Sequence, residues 1–190
     1  MEFELGDHVV YPAYGAGTVA AKEERLFSGT TTRYYILKMV ASEGEFMVPV
    51  EQAESLGIRP VMEAAAILEV LHSSPNQLPD DYKERQAIIE ELLSTSDAIQ
   101  MALGARDLAW FSGARSLTGR DIQLYEELQT QLASELSLAK DVCLDEARDE
   151  LVNELNTLSA TAQAEAQARA EAEAEAEAQA EAQAREEEAA

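Results

Sequence analysis

The sequence predicts an α+β protein: a small antiparallel β module, a helical bundle behind it and a low-complexity tail. Three observations predict this order. Residues 1–60 hold short runs of aromatic and branched residues punctuated by glycine. Residues 61–159 change to apolar spacings of three and four, with proline and acids at helix starts. From Ala160, alanine alternates with Glu, Gln and Arg for most of the remaining length. The 190 residues carry 37 Asp+Glu against 14 Lys+Arg, a net charge of −23. The three segments carry net −4, −12 and −7 respectively.

Each element has a local reason. Val9-Val10-Tyr11 is an apolar run between Gly6-Asp7 and Pro12. Gly15 and Gly17 lead into Thr18-Val19-Ala20, and Gly29 reads as a hairpin turn before Arg33 to Val40. Gly44 marks a turn before Glu45 to Val50. Together they suggest a small, curved, barrel-like sheet with a limited core that leans on the helical segment after it. Val61 to Leu71 then reads as a helix closed by Pro75. Pro79 with Asp80-Asp81 opens the next helix, striped by Ile88, Ile89, Leu92 and Leu93. Asp97 reads as the N-cap of a helix through Trp110, with Gly113 ending the segment. Thr118-x-x-Asp121 is an imperfect capping-box pattern, and Leu124, Leu128, Leu132 and Leu136 give the helix after it an apolar face. Asp145 to about Leu158 forms a last short helix. The tail lacks an apolar stripe, because a period of two scatters alanine all round a helix. It is expected to be a solvated single helix or a disordered acidic segment.

The chemistry-bearing motifs are largely absent. One cysteine and two histidines exclude a disulfide framework and a His- or Cys-rich metal centre. There is no phosphate-cradling Gly-rich motif, no G-x-S-x-G elbow and no H-E-x-x-H. Cys143, between Asp141 and Asp145, reads as a small packed core residue rather than a nucleophile. His8 reads as a strand-edge residue, and His72 suits a helix C-terminus. Trp110 reads as packing, and Arg106-Asp107 as an ion pair or cap linking helices. An enzyme is therefore not expected, nor a cofactor or metal. No run reaches the ~18–20 apolar residues that span a membrane, and the acidic start lacks the order of a signal peptide. A cytoplasmic monomer is the expectation. The acidity argues against a free-standing, nonspecific nucleic-acid binder, which would neutralise phosphates with Lys and Arg.

The run Gly6-Asp7-His8-Val9-Val10-Tyr11-Pro12-x-x-Gly15-x-Gly17-x-Val19 resembles the opening of the CarD/CdnL bacterial transcription regulators. That opening is shared with the polymerase-interacting domain of transcription-repair coupling factors. The resemblance continues through Tyr35 to Lys38, Val48-Pro49-Val50 and Gly57-Ile58-Arg59, the last placed like the family's domain junction. It resumes at Arg106-Asp107-Leu108, at Leu117 and at Glu135 to Asp141. It covers about residues 1–158, and the helical part separates regulator from coupling factor.

This resemblance implies a Tudor-like β module on residues 1–60 that docks on the β subunit of RNA polymerase by sheet pairing. It implies a helical domain on residues 61–159 that reaches the upstream edge of the melted promoter and stabilises the open complex, with an aromatic wedge in the minor groove. Arg25 takes the place of a basic polymerase-facing residue, and Met47 stands where some members carry another base. The pairing edge falls on Tyr34, Ile36 and Lys38, or on Phe46, Met47 and Val48. The family's wedge tryptophan corresponds to Tyr82, with Lys83, Arg85 and Arg120 as the backbone-holding bases. So few bases in a segment of net −12 imply DNA contact only inside the polymerase complex, where tethering raises local concentration. A different class of function is also open: a polymerase-docked adaptor that does not touch DNA and recruits or excludes another protein through its helices and acidic tail.

Overall fold

The computed structural model describes residues 2–12, 14–27, 30–42 and 44–188. Five strands come first: β1 (His8–Tyr11), β2 (Gly15–Phe27), β3 (Thr30–Met39), β4 (Glu45–Pro49) and β5 (Arg59–Pro60), with a 3₁₀ turn at Val50–Gln52. All pair antiparallel in one sheet of order β4-β3-β2-β1-β5. The register of β2 on β3 slips between Val19 and Ala21. Such a bulge bends and twists a strand. The bend rolls the sheet so far that Tyr11 on β1 and Phe46 on β4, from opposite sides of the strand order, meet ring to ring at 6.1 Å. Inside the curl, Val9, Val19, Tyr35, Leu37 and Val48 pack with Phe3 and Ile58. The Tyr35 hydroxyl accepts a hydrogen bond from Phe3 N at 3.0 Å. The Gly29 turn lies outside the described residues.

Five helices come after the sheet: α1 (Ala64–His72), α2 (Tyr82–Ser94), α3 (Ala98–Ala114), α4 (Gly119–Lys140) and α5 (Leu144–Glu188). Their starts obey the capping logic of the sequence. Asp81 accepts from Lys83 N and Glu84 N, and Asp97 from Ile99 N and Gln100 N. The Thr118/Asp121 capping box closes in both directions. The bundle core joins Ile67 and Leu71 of α1, Ile89 of α2, Leu108 of α3, the α4 leucines 124, 128 and 132, and Leu151 and Leu155 of α5.

Three expectations are corrected. Cys143 is exposed rather than packed in the core. It stands just before α5, where its Sγ accepts from Glu146 N, an end-of-helix role that keeps it at the surface. The last helix does not stop near Leu158; α5 runs unbroken into the alanine-rich segment. Ala, Glu, Gln and Arg all favour helix, and the tail's first turns are anchored, since Ala162 is buried against α3. Gly113 does not end α3 but sits in its last turn. A Cβ there would lie 2.0 Å from the Ser159 carbonyl oxygen and 2.8 Å from Ala162 Cβ. Glycine is thus what lets the two helix backbones meet.

Candidate functional site

Two exposed surfaces stand out, one on each half of the molecule. The first is the free side of the sheet. Strand β3 pairs with β2 on one side and β4 on the other through Tyr34 to Lys38, so that stretch has no open edge. Among the described residues β4 pairs with β3 alone, which leaves its outer side open. Of the two expected edges, Phe46 to Val48 is therefore the free one. Ile36 and Val48 are both buried, so they can offer backbone but little side chain. Met47 is 43% exposed, and the rings of Tyr14 and Phe46 meet at a tilt of 50° with centroids 4.5 Å apart. An unpaired strand edge is a ready template for another chain.

Arg25 lies farther along the sheet. β2 and β3 continue beyond their neighbours as a two-stranded arm, where Arg25 pairs with Thr32 in register. Its guanidinium is exposed and holds Glu23 at 2.8 Å. Leu26 beside it is 74% exposed, a large apolar side chain open to solvent.

The second surface is the start of α2. Tyr82 is 48% exposed, with the Lys83 ammonium 5.9 Å from its ring centre. Nothing in the bundle core uses it. The turn before it is pinned from beneath by Arg85, which donates to the carbonyls of Pro79 (2.9 Å) and Asp80 (3.2 Å). The same guanidinium donates to Asp121 at 2.7 Å and lies 4.3 Å from the Phe111 ring centre. This corrects the expectation for Arg85. At 2% exposure it is an internal tie between the Tyr82 turn, α3 and α4, and has no surface to offer a phosphate.

Burial pushes the Asp121 carboxyl up, but hydrogen bonds from Arg85 and Thr118 and the charge of Arg85 outweigh it. They hold it below the usual carboxylate range. The remaining bases here are exposed, and two of them are paired. Arg120 holds Glu90 at 2.7 Å, and Arg115 meets Asp80.

Other sequence readings find their places. Arg106 pairs with Asp107 at 2.6 Å and reaches Ser73, while Asp107 accepts from Asn76 N and Nδ2. Together they tie α3 to the chain after α1, as a linking pair. Trp110 is half-buried and lines a groove with Leu78, Phe111 and Ala166, whose lining does not include Tyr82. Among the described residues no group of three or more His, Cys, Asp or Glu could hold a metal ion, and no helix is long and apolar enough to cross a membrane.

Sequence reasoning missed the contact between the halves. Ser134 Oγ of α4 accepts from Ala16 N at 3.2 Å, and Arg59 donates to both oxygens of Glu135 at 2.6 and 2.8 Å. The motifs around Arg59 and Glu135 were visible, but nothing in the sequence paired them.

Comparison with known proteins bears on both halves. Residues 3–62 match the family profile described as the CarD-like/TRCF RID domain, and residues 66–151 match the CarD C-terminal domain. The chain belongs to the CarD-like family. It is 30% identical over 143 residues to a Bacillus subtilis (strain 168) protein named "Putative transcription factor YdeB", covering 73% of this chain and 92% of that one. The CarD-like architecture accounts for the order of sheet and bundle, and it makes this chain a transcription regulator whose first module is of the RNA-polymerase-interacting type. The matched CarD C-terminal domain ends at residue 151, so most of α5 lies beyond it.

Proposed function

We propose that this CarD-like protein binds the RNA polymerase β subunit through its sheet and modulates promoter open-complex stability through the Tyr82 end of its bundle. Residues Phe46 to Val48 supply the pairing edge, and Arg25 adds a charged contact on the β2–β3 arm. Tyr82 meets the upstream edge of the melted DNA, with Lys83 and Arg120 at the phosphates. The carrying observation is Tyr82 itself: a large aromatic left exposed on a turn whose backbone is tied down by a buried arginine. A ring presented on a fixed support suits insertion at a partly unstacked base step. Tyrosine covers less base surface than an indole, so its effect is smaller than that of a tryptophan wedge. Arg120 must exchange Glu90 for phosphate, which lowers what it contributes. Isolated protein should therefore bind duplex DNA negligibly in moderate salt.

The test is open-complex lifetime with the full-length protein and Tyr82→Ala, alongside polymerase binding by each. A shortened lifetime with unchanged polymerase binding supports the wedge. An unchanged lifetime rejects it.

A second reading has its own support. Arg120 and Arg115 are already matched by acids, and α5 continues past the family match as a helix rich in Glu. An adaptor that docks on polymerase and engages another protein through this extension fits those facts. Removal of the extension should then abolish recruitment of that protein while polymerase binding persists. Loss of no partner on removal counts against it.

A further inference from the structure

We infer that Arg59 is a positioning residue: its clasp on Glu135 and Ser96 locks the sheet to the bundle and so sets where Tyr82 stands relative to the sheet edge. The inference rests on the proposed function for its consequence at promoters, but the clasp itself is tested without polymerase.

One side chain joins three elements. Arg59 sits on β5, the last strand before the bundle. Its two terminal nitrogens donate to Glu135 Oε1 and Oε2 at 2.6 and 2.8 Å. Its Nε and Nη2 donate to the Ser96 carbonyl at 3.0 and 2.8 Å. Ser96 occupies the turn between α2 and α3 with φ of 51°, a left-handed conformation rare outside glycine. Glu135 is 1% exposed and also accepts from Met62 N at 2.7 Å. The planar fork of arginine suits such a two-pronged grip, which lysine cannot reproduce.

A second tie lies on the adjacent residue of α4. Ser134 Oγ accepts from Ala16 N, and Gly15, at φ of 87°, passes so close that a Cβ would stand 3.1 Å from Ser134 Oγ and Gln131 Oε1. Strands β2 and β5 are thus fastened to neighbouring positions of one helix, which blocks rotation about either tie alone. Neither Arg59 nor Glu135 belongs to the apolar core of either half. Contacts of this polar kind leave relative domain motion as the default unless something holds them. Loss of Arg59 strands a buried carboxylate without its cation, and opening the junction to water is the available relief.

The test uses full-length protein. Spin labels on native Cys143 and on Lys38→Cys, both exposed, report the distance between the halves. Wild type should give one narrow distribution, and Arg59→Met a broad or shifted one. An unchanged distribution in Arg59→Met overturns the inference, whatever happens at promoters.

The consequence is read next on the promoter complex. Arg59→Met should bind polymerase as wild type does, yet lose roughly five-fold or more of the lifetime effect, because small misplacements are costly. A lifetime effect equal to wild type overturns it. Rescue separates orientation from folding. In a Cys143→Ser background, Gly15→Cys with Ser134→Cys places Cβ atoms about 3.9 Å apart, within disulfide range. Added to Arg59→Met, this staple should restore the lifetime effect when oxidised and not when reduced; strain at position 15 is common to both states. A formed staple that restores nothing also overturns the inference. Wild type that fails to bind polymerase refutes the proposed function instead, and the label distances still decide the clasp.

Discussion

Replacing Arg85 with methionine should unfold the bundle more readily rather than simply weaken a DNA contact. The guanidinium is 3% exposed and its partner Asp121 is 1% exposed, so both are removed from solvent. Taking away the cation leaves Asp121 buried and uncompensated, a loss of about 3–5 kcal/mol. The Pro79 and Asp80 carbonyls lose their donor as well. For a chain of this size about 1 kcal/mol moves Tm by 2–4 °C, so a fall of roughly 6–20 °C is expected.

The pH dependence has a definite sign. In the wild type the folded-state pKa of Asp121 is depressed, so its stabilisation is present above the ordinary carboxylate value and is lost as pH falls through the folded value. In Arg85→Met the lowering by Arg85 is lost while burial and the Thr118 hydrogen bonds remain, so the carboxyl titrates at higher pH than in the wild type. The deficit is then largest near neutrality and shrinks on acidification, as protonation removes the stranded charge. Arg85→Met/Asp121→Asn should recover much of the loss at neutral pH. Calorimetry or chemical denaturation at several pH values measures all three proteins. A loss below about 1 kcal/mol, the scale of an exposed ion pair, would refute the reasoning and return Arg85 to the phosphate-contact candidates.

Single contacts elsewhere make their own predictions. Tyr82→Ala should change stability by less than about 1 kcal/mol, since the ring is half exposed and outside the core, while shortening open-complex lifetime; thermal melts and promoter challenge assays read the two. Gly113→Ala forces a methyl to within 2.0 Å of the Ser159 carbonyl oxygen, and should cost about 1–3 kcal/mol in denaturation as α5 is pushed from α3. Truncation after residue 170 keeps the Ala162 contact and should leave the bundle's Tm almost unchanged, whereas truncation after Leu158 should lower it. Equal melting of both truncations would show that the start of the tail contributes nothing to the bundle.

The sheet and the helix starts were legible because their signals are local. Asp81, Asp97 and the Thr118/Asp121 pair cap the chain within three residues of themselves. Glycine and branched residues mark the strands in the same short-range way. What stayed hidden depends on partners far along the chain. Arg85 has the same residue type and neighbourhood whether it faces solvent or Asp121, which is 36 positions away. The choice between two candidate edges needed the strand order, since β3 and β4 are equally strand-like in composition. Cys143 was misread because burial was inferred from residue type, while its place before α5 exposes it. The tail's helix was legible from propensity, but its anchoring was not, since an alanine carries no sign of which turn of another helix it will meet.

Docking of the amino-terminal sheet on the polymerase β subunit is the central claim. Binding of full-length protein and of Arg25→Glu to purified polymerase, and to its isolated β lobe, tests it most directly. Wild type should bind both targets, and the charge reversal should weaken both. No binding of wild type to either target would contradict the claim.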